Sequence, residues 1–159
     1  MKKTLLFCTA AVILLCSFDL KGLLGSKSET TTAEASVSEA QTQGNSAGKA
    51  LNELYTQYKT DGKFDAKNLN NILNTVSLIN NCSGLKDNIK NTSFLKDFGI
   101  GLVKGSNNLV TDKNSDIVTE QLGALVGNID SDKMNNAAQK AGVVMESAGQ
   151  IAELLNLFK

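Results

Sequence analysis

The chain has 159 residues, 16 basic and 16 acidic side chains, and no His, Trp or Pro. Zero net charge without a clustered basic patch argues against nucleic acid as a partner, because neutralising phosphates needs grouped Lys or Arg. The lack of His removes the usual general base, the usual zinc ligand and every Ser-His or Cys-His nucleophile pair.

The first element is an apolar segment behind a basic tip. Met1-Lys2-Lys3 is followed by Leu5 to Leu15, apolar apart from Cys8 and Thr9, and charge returns at Asp19 and Lys21. A basic start, a short apolar run and a polar flank form the pattern of a secretory signal. The alternative is an uncleaved anchor. The 15 residues from Thr4 to Phe18 span roughly 22 Å as a helix, short of the roughly 30 Å hydrocarbon core. No small-x-small cleavage site follows the run. It ends instead at Ile13-Leu14-Leu15-Cys16, which resembles the lipobox of bacterial lipoproteins. The resemblance implies that Cys16 is lipidated and becomes the first residue of the mature chain. Leu15 departs from the small residue that usually precedes the cysteine, and Cys8 has too little apolar sequence before it.

Cys16-Ser-Phe-Asp19 continues through Leu20, Lys21 and Gly22 into Leu23, Leu24 and Gly25, an apolar stem. With its Met-Lys-Lys start, this region resembles small exported lipoproteins of Bacteroidetes-type Gram-negative bacteria. The resemblance covers the first 46 residues. It implies lipid anchoring at an envelope membrane and carries no activity with it. Ser26 to Ser46 is Ser, Thr, Ala, Glu, Gln and Gly with one aliphatic, Val37. Such a composition buries too little apolar area to offset its ordering entropy, so a disordered tether is expected. A polar helix through Ala33 to Ala40 is the competing reading, since Ala, Glu and Gln tolerate helix.

From Ala47 the apolar spacing turns helical. Leu51, Leu54, Tyr55 and Tyr58 define one face of a first helix, which Asp61-Gly62 stops. Asp65 is positioned to cap a second helix with a stripe of Leu69, Ile72, Leu73, Val76 and Ile79 or Asn80. A break is expected over Asn80 to Gly84, then at most a helical turn with Leu85 and Ile89. Thr92 or Ser93 is positioned to cap the next helix, with Phe94, Phe98, Leu102 and Leu109. Asn114 or Ser115 is positioned to cap another, with Val118, Leu122, Leu125 and Ile129. Asp130 or Ser131 is positioned to cap the last and longest. There Met134, Ala138, Ala141, Met145, Ala148, Ala152 and Leu155 form one row, and Ala137, Val144, Ile151 and Phe158 a second. So many small residues suit close packing, and this helix is the expected spine of a bundle. A self-associating coiled coil is the alternative, disfavoured by Ala at core positions.

The candidate chemistry is sparse. Gln57 to Asn68 resembles an EF-hand loop at Asp61, Gly62 and Phe64 alone. Lys59 takes a ligand position and Asn68 stands where the bidentate Glu belongs, so a helix-helix turn is the better reading. Asp112, Asn114 and Asp116 have ligand-like spacing, yet Ile117 replaces the glycine and Gly123 the Glu. Helix capping accounts for them. Asp130 and Asp132 likewise fall at a helix start, where the dipole favours carboxylates. Gly101-x-x-x-Gly105 and Gly123-x-x-x-Gly127 are expected to mark close helix contacts in a soluble bundle. Lys96, Asp97 and Lys104 argue against a membrane-inserted pore. Cys82 is the lone cysteine beyond the apolar segment. It is expected to be a buried small residue, with no internal disulfide possible. Among Glu53, Asp61, Asp97, Asp116, Glu120 and Glu146, no spacing singles out a catalytic pair.

The expectation is an all-α bundle of five to six helices over residues 47–159, behind a lipoprotein-type signal (1–16) and a stem and linker (17–46). The expected role is non-enzymatic binding or structure in the cell envelope, with no catalytic, metal or cofactor-binding residue and with Cys16 as the lipidation site. The expected partners are the membrane, through that lipid, and a protein or glycan, with no nucleic acid. The location is the outer membrane or a periplasmic face, or alternatively the periplasm or exterior as a soluble protein. A periplasmic or secreted carboxylate-dependent hydrolase is the competing function.

Overall fold

A computed structural model describes residues 37–159. These residues are all-helical, as the periodicity predicts. The signal segment, Cys16, the stem and the first part of the tether lie outside the described residues.

Helix α1 (Glu39–Asp61) is the longest, and it starts within the stretch expected to be tether. Ser38 caps it, its Oγ accepting from the Gln41 amide at 3.2 Å. The reason the helix begins so early lies in small residues. Ala40, Gly44, Ala47 and Gly48 are buried at i, i+4, i+7 and i+8, a face that a hydropathy count overlooks. Larger side chains, Leu51 and Leu54, take over further along. The helix ends as expected at Gly62, whose φ of 71° lets its amide reach the Tyr58 carbonyl oxygen at 2.9 Å.

Helix α2 (Leu69–Asn88) differs from expectation in cap, face and length. Its cap is Asn68, with Oδ1 accepting from the amides of Asn70 (2.9 Å) and Asn71 (3.4 Å). Asp65 instead forms a local turn, accepting from the Lys67 amide at 2.9 Å. The buried row is Asn71, Thr75, Leu78, Ile79, Cys82 and Leu85, while Leu69 and Leu73 are exposed. The apolar C-terminal half sets the face that meets the other helices. Carried back along a rigid helix, that face places Asn71 and Thr75 inside. No break occurs at Asn80 to Gly84. There the amide of Asn81 and the hydroxyl of Ser83 bond back to the Ser77 and Asn80 carbonyls, both at 2.8 Å, within the same helix.

Asn91, rather than the expected Thr92 or Ser93, caps helix α3 (Thr92–Gly105), its side chain accepting from the Phe94 amide at 3.2 Å. Phe98, Gly101 and Leu102 are its buried residues. Asn107 and Asn108 have φ of 52° and 68° and turn the chain out of the helix. Asn tolerates the left-handed region better than most residues. The Ser106 hydroxyl accepts from the Val110 amide at 2.9 Å, closing that turn over a buried Val110. Leu109, expected on the helix, packs on the core from the loop.

Helix α4 (Ser115–Gly127) buries Val118, Leu122 and Leu125 as the spacing predicts. The expected last helix is three pieces: a 3-10 turn (Ser131–Met134), α5 (Ala137–Glu146) and α6 (Ala148–Asn156). Asn136 divides the first two by capping α5, its Oδ1 accepting from the Gln139 amide at 2.9 Å. The second row predicted there packs inward through Val144, Ile151 and part of Phe158, whereas Met145 of the first is exposed. The spine is therefore α1, which packs along both α2 and α3.

The α1–α3 packing is backbone against backbone. A methyl group on Gly44 or Gly101 would collide with the Phe98 or Gln41 carbonyl, and one on Gly48 would stand 2.5 Å from the Leu102 oxygen. Gly101 and Gly105 thus do mark a close contact, and Gly44 and Gly48 supply the matching pair on α1. Gly123 and Gly127, by contrast, face open space. The C-terminus is fastened to α1 by both tyrosines of the chain. Tyr55 bonds the Phe158 carbonyl at 2.7 Å and Tyr58 the Asn156 Oδ1 at 2.6 Å. The Tyr55 and Phe158 rings meet edge to face at 5.7 Å, and Lys159 Nζ lies 4.7 Å above the Tyr58 ring.

Candidate functional site

The end of α2 and the opposed sides of α3 and α4 enclose a half-open cleft of about 570 Å³, a size typical of small-ligand sites. It exists because α3 packs on α1 through Gly101 and Gly105, leaving Leu95, Lys96, Gly99 and Ile100 on the side toward α4. Leu85, fully buried, closes the base. Gly99 and Gly123 lie on opposite walls with no atom within 4 Å of where a β-carbon would stand, so missing side chains hold the cleft open. Ile89 and Ile100 line it as large exposed aliphatics, at 62% and 39%.

Charge is unevenly placed around this apolar interior. Asp112, Asp116 and Glu120 line the α4 side and Lys96 the α3 side. Residues 116 and 120 share a helix face by their i, i+4 spacing. The one ion pair among the described residues is Lys133–Glu146 at 3.7 Å, so these carboxylates are not neutralised by a lysine there. Asp116 sits in the first turn of α4, favourable for the helix dipole. Asn114 stands at the cap position but turns its Oδ1 to the Thr111 amide at 2.7 Å and makes no side-chain bond to the helix. Capping by Asn114, expected from sequence, is therefore replaced by a local turn.

The other candidates are not brought together. Asp61 accepts from Gln57 Nε2 at 2.7 Å and Asp65 from a backbone amide, so the two hold separate turns rather than one shared centre. Asp130 accepts from the Asp132 amide at 3.0 Å and starts the 3-10 turn. No cluster of three or more His, Cys, Asp or Glu among the described residues is arranged to hold a metal. Cys82 is fully buried in α2, and burial pushes its thiol far above the ordinary range. A thiol held neutral is a poor nucleophile, and here it packs as a small apolar side chain. Cys16 lies outside the described residues. Among the described residues no helix is long and apolar enough to cross a membrane.

Sequence reasoning missed the cleft although it named several of its residues separately. The available signal was negative. Leu95 and Ile100 are aliphatic yet off the Phe94, Phe98, Leu102 row, and Ile89 pairs only with Leu85 on a short turn. Single exposed aliphatics are ordinary on a surface, so only their convergence in space carries information. No protein-family model, curated protein or solved structure matches the chain.

Proposed function

We propose that this is an exported, lipid-anchored cell-envelope protein whose helical domain binds a partner and performs no turnover. The observation that carries the binding role is the α3–α4 cleft, an apolar hollow with exposed aliphatics and polar groups on its walls. Hollows of this kind are the default ligand-binding locations of a protein. A hydrolase working with two carboxyls needs them flanking the scissile bond from opposite sides. Here Asp116 and Glu120 share one helix, with Lys96 across from them, an arrangement that suits recognition better than bond cleavage. The export and anchoring part rests on the sequence of residues 1–25, and Cys16 is the residue that carries the lipid.

Two measurements test this reading. The wild-type chain, expressed in a Gram-negative host fed radiolabelled palmitate, acquires label and fractionates with membranes, and Cys16→Ser does neither. A Cys16→Ser chain that remains membrane-bound exactly as wild type overturns the anchor. Glycan hydrolysis lost on Glu120→Gln overturns the binding role in favour of an enzyme.

A further inference from the structure

We infer that the α3–α4 cleft receives a cationic amphipathic helix of a protein partner, an inference that rests on the cleft being a binding site. Three features define this occupant. Apolar Ile89, Leu95 and Ile100 need an aliphatic face to cover them. The glycines at 99 and 123 leave room for side chains to enter from both walls. Three carboxylates against one ammonium call for positive charge along one flank of whatever enters.

The dimensions agree with a helix. On α3 the lining runs from Thr92 to Ile100 and on α4 from Ser115 to Gly123, which at about 1.5 Å per residue makes each wall roughly 12 Å long. That length takes about two turns of a partner helix, enough for anchors spaced i, i+3, i+4 and i+7. The charges then set its orientation. A Lys or Arg row of the partner lies along Asp116 and Glu120, and an acidic or neutral position faces Lys96. An anionic lipid surface is disfavoured by the same carboxylates, since like charges brought together are destabilising.

The test uses the full chain in zwitterionic nanodiscs and two synthetic probes of about 14 residues, long enough to exceed the cleft at both ends. One is a helix of Leu and Lys with an i, i+3, i+4, i+7 Leu face, and the other has Glu in place of every Lys. A photo-cross-linking residue is placed at position 100, and at exposed position 117, outside the cleft, as a control. Expected are cross-links of the Lys probe at 100 and not at 117, and affinity at least about tenfold above that of the Glu probe. That affinity should fall about tenfold in D112N/D116N/E120Q and decline with salt. Gly99→Leu, which fills open space, should abolish cross-linking while the helical signal stays unchanged. Equal cross-linking of both probes at 100, or no response to the charge-neutral variant, overturns the cationic partner and leaves the cleft a binding site. Absence of any cross-link at 100 with either probe overturns both.

Discussion

The hydroxyl of Tyr55 donates a 2.7 Å hydrogen bond to the carbonyl oxygen of Phe158, 103 residues along the chain. With the Tyr58–Asn156 bond beside it, this contact ties the last turn of the chain to α1. Tyr55→Phe and Tyr58→Phe keep the rings and lose the bonds, so each should lower stability by about 1 kcal/mol. Chemical denaturation should show both losses. A double-mutant cycle of Tyr58→Phe with Asn156→Ala should show coupling between the two residues. Simple additivity would mean the bond contributes nothing.

Glycines should divide into two groups by what faces them. Gly44→Ala and Gly101→Ala drive a methyl into the backbone of the facing helix, which cannot swing aside as the end of a side chain can. Each should cost at least about 2 kcal/mol. Gly142→Ala and Gly149→Ala lie in helices with open space around the new methyl. Each should stabilise by about 0.5–1 kcal/mol through helix propensity. Thermal melts of the four variants decide the matter by the sign of the shift.

Thr75 is fully buried on α2 and its hydroxyl has no hydrogen-bond partner. A buried hydroxyl without a partner costs about 1–3 kcal/mol. Thr75→Val retains the β-branch and removes the polar atom, so it should raise the melting temperature by a few degrees. A lower melting temperature would show that the hydroxyl is satisfied in solution.

The Cys82 thiol should stay unreactive toward aromatic disulfide reagents until the chain unfolds. Burial raises its folded pKa, so the folded form holds its proton where the unfolded form has lost it. This contribution is complete below the unfolded thiol value of about 8.5 and declines as pH rises above it, by about 1.4 kcal/mol per pH unit. Urea titrations from pH 7 to 10 should show wild type losing stability faster with pH than Cys82→Ala. Parallel profiles would mean the thiol is not desolvated.

The sequence by itself determined the helical class, the stop at Gly62, and the packed rows Leu51–Leu54, Phe98–Leu102 and Val118–Leu122–Leu125. It could do so because large apolar side chains at helical spacing have few other ways to leave water. It also bounded the chemistry, since a chain without His or a second cysteine in this region lacks the usual nucleophile pairs. Tertiary structure decided the rest. Whether Gly44 or Gly123 makes a close contact depends on the facing helix, not on the glycine. The inward turn of Asn71 and Thr75 follows from a rigid α2 whose distant half is apolar. The division of the last helix at Asn136 follows from a side chain capping its own downstream backbone. The cleft is the clearest case: Ile89, Ile100 and Glu120 are unremarkable surface residues one at a time. They line one cleft only because α3 packs on α1 through Gly101 and Gly105 and leaves its other side open to α4.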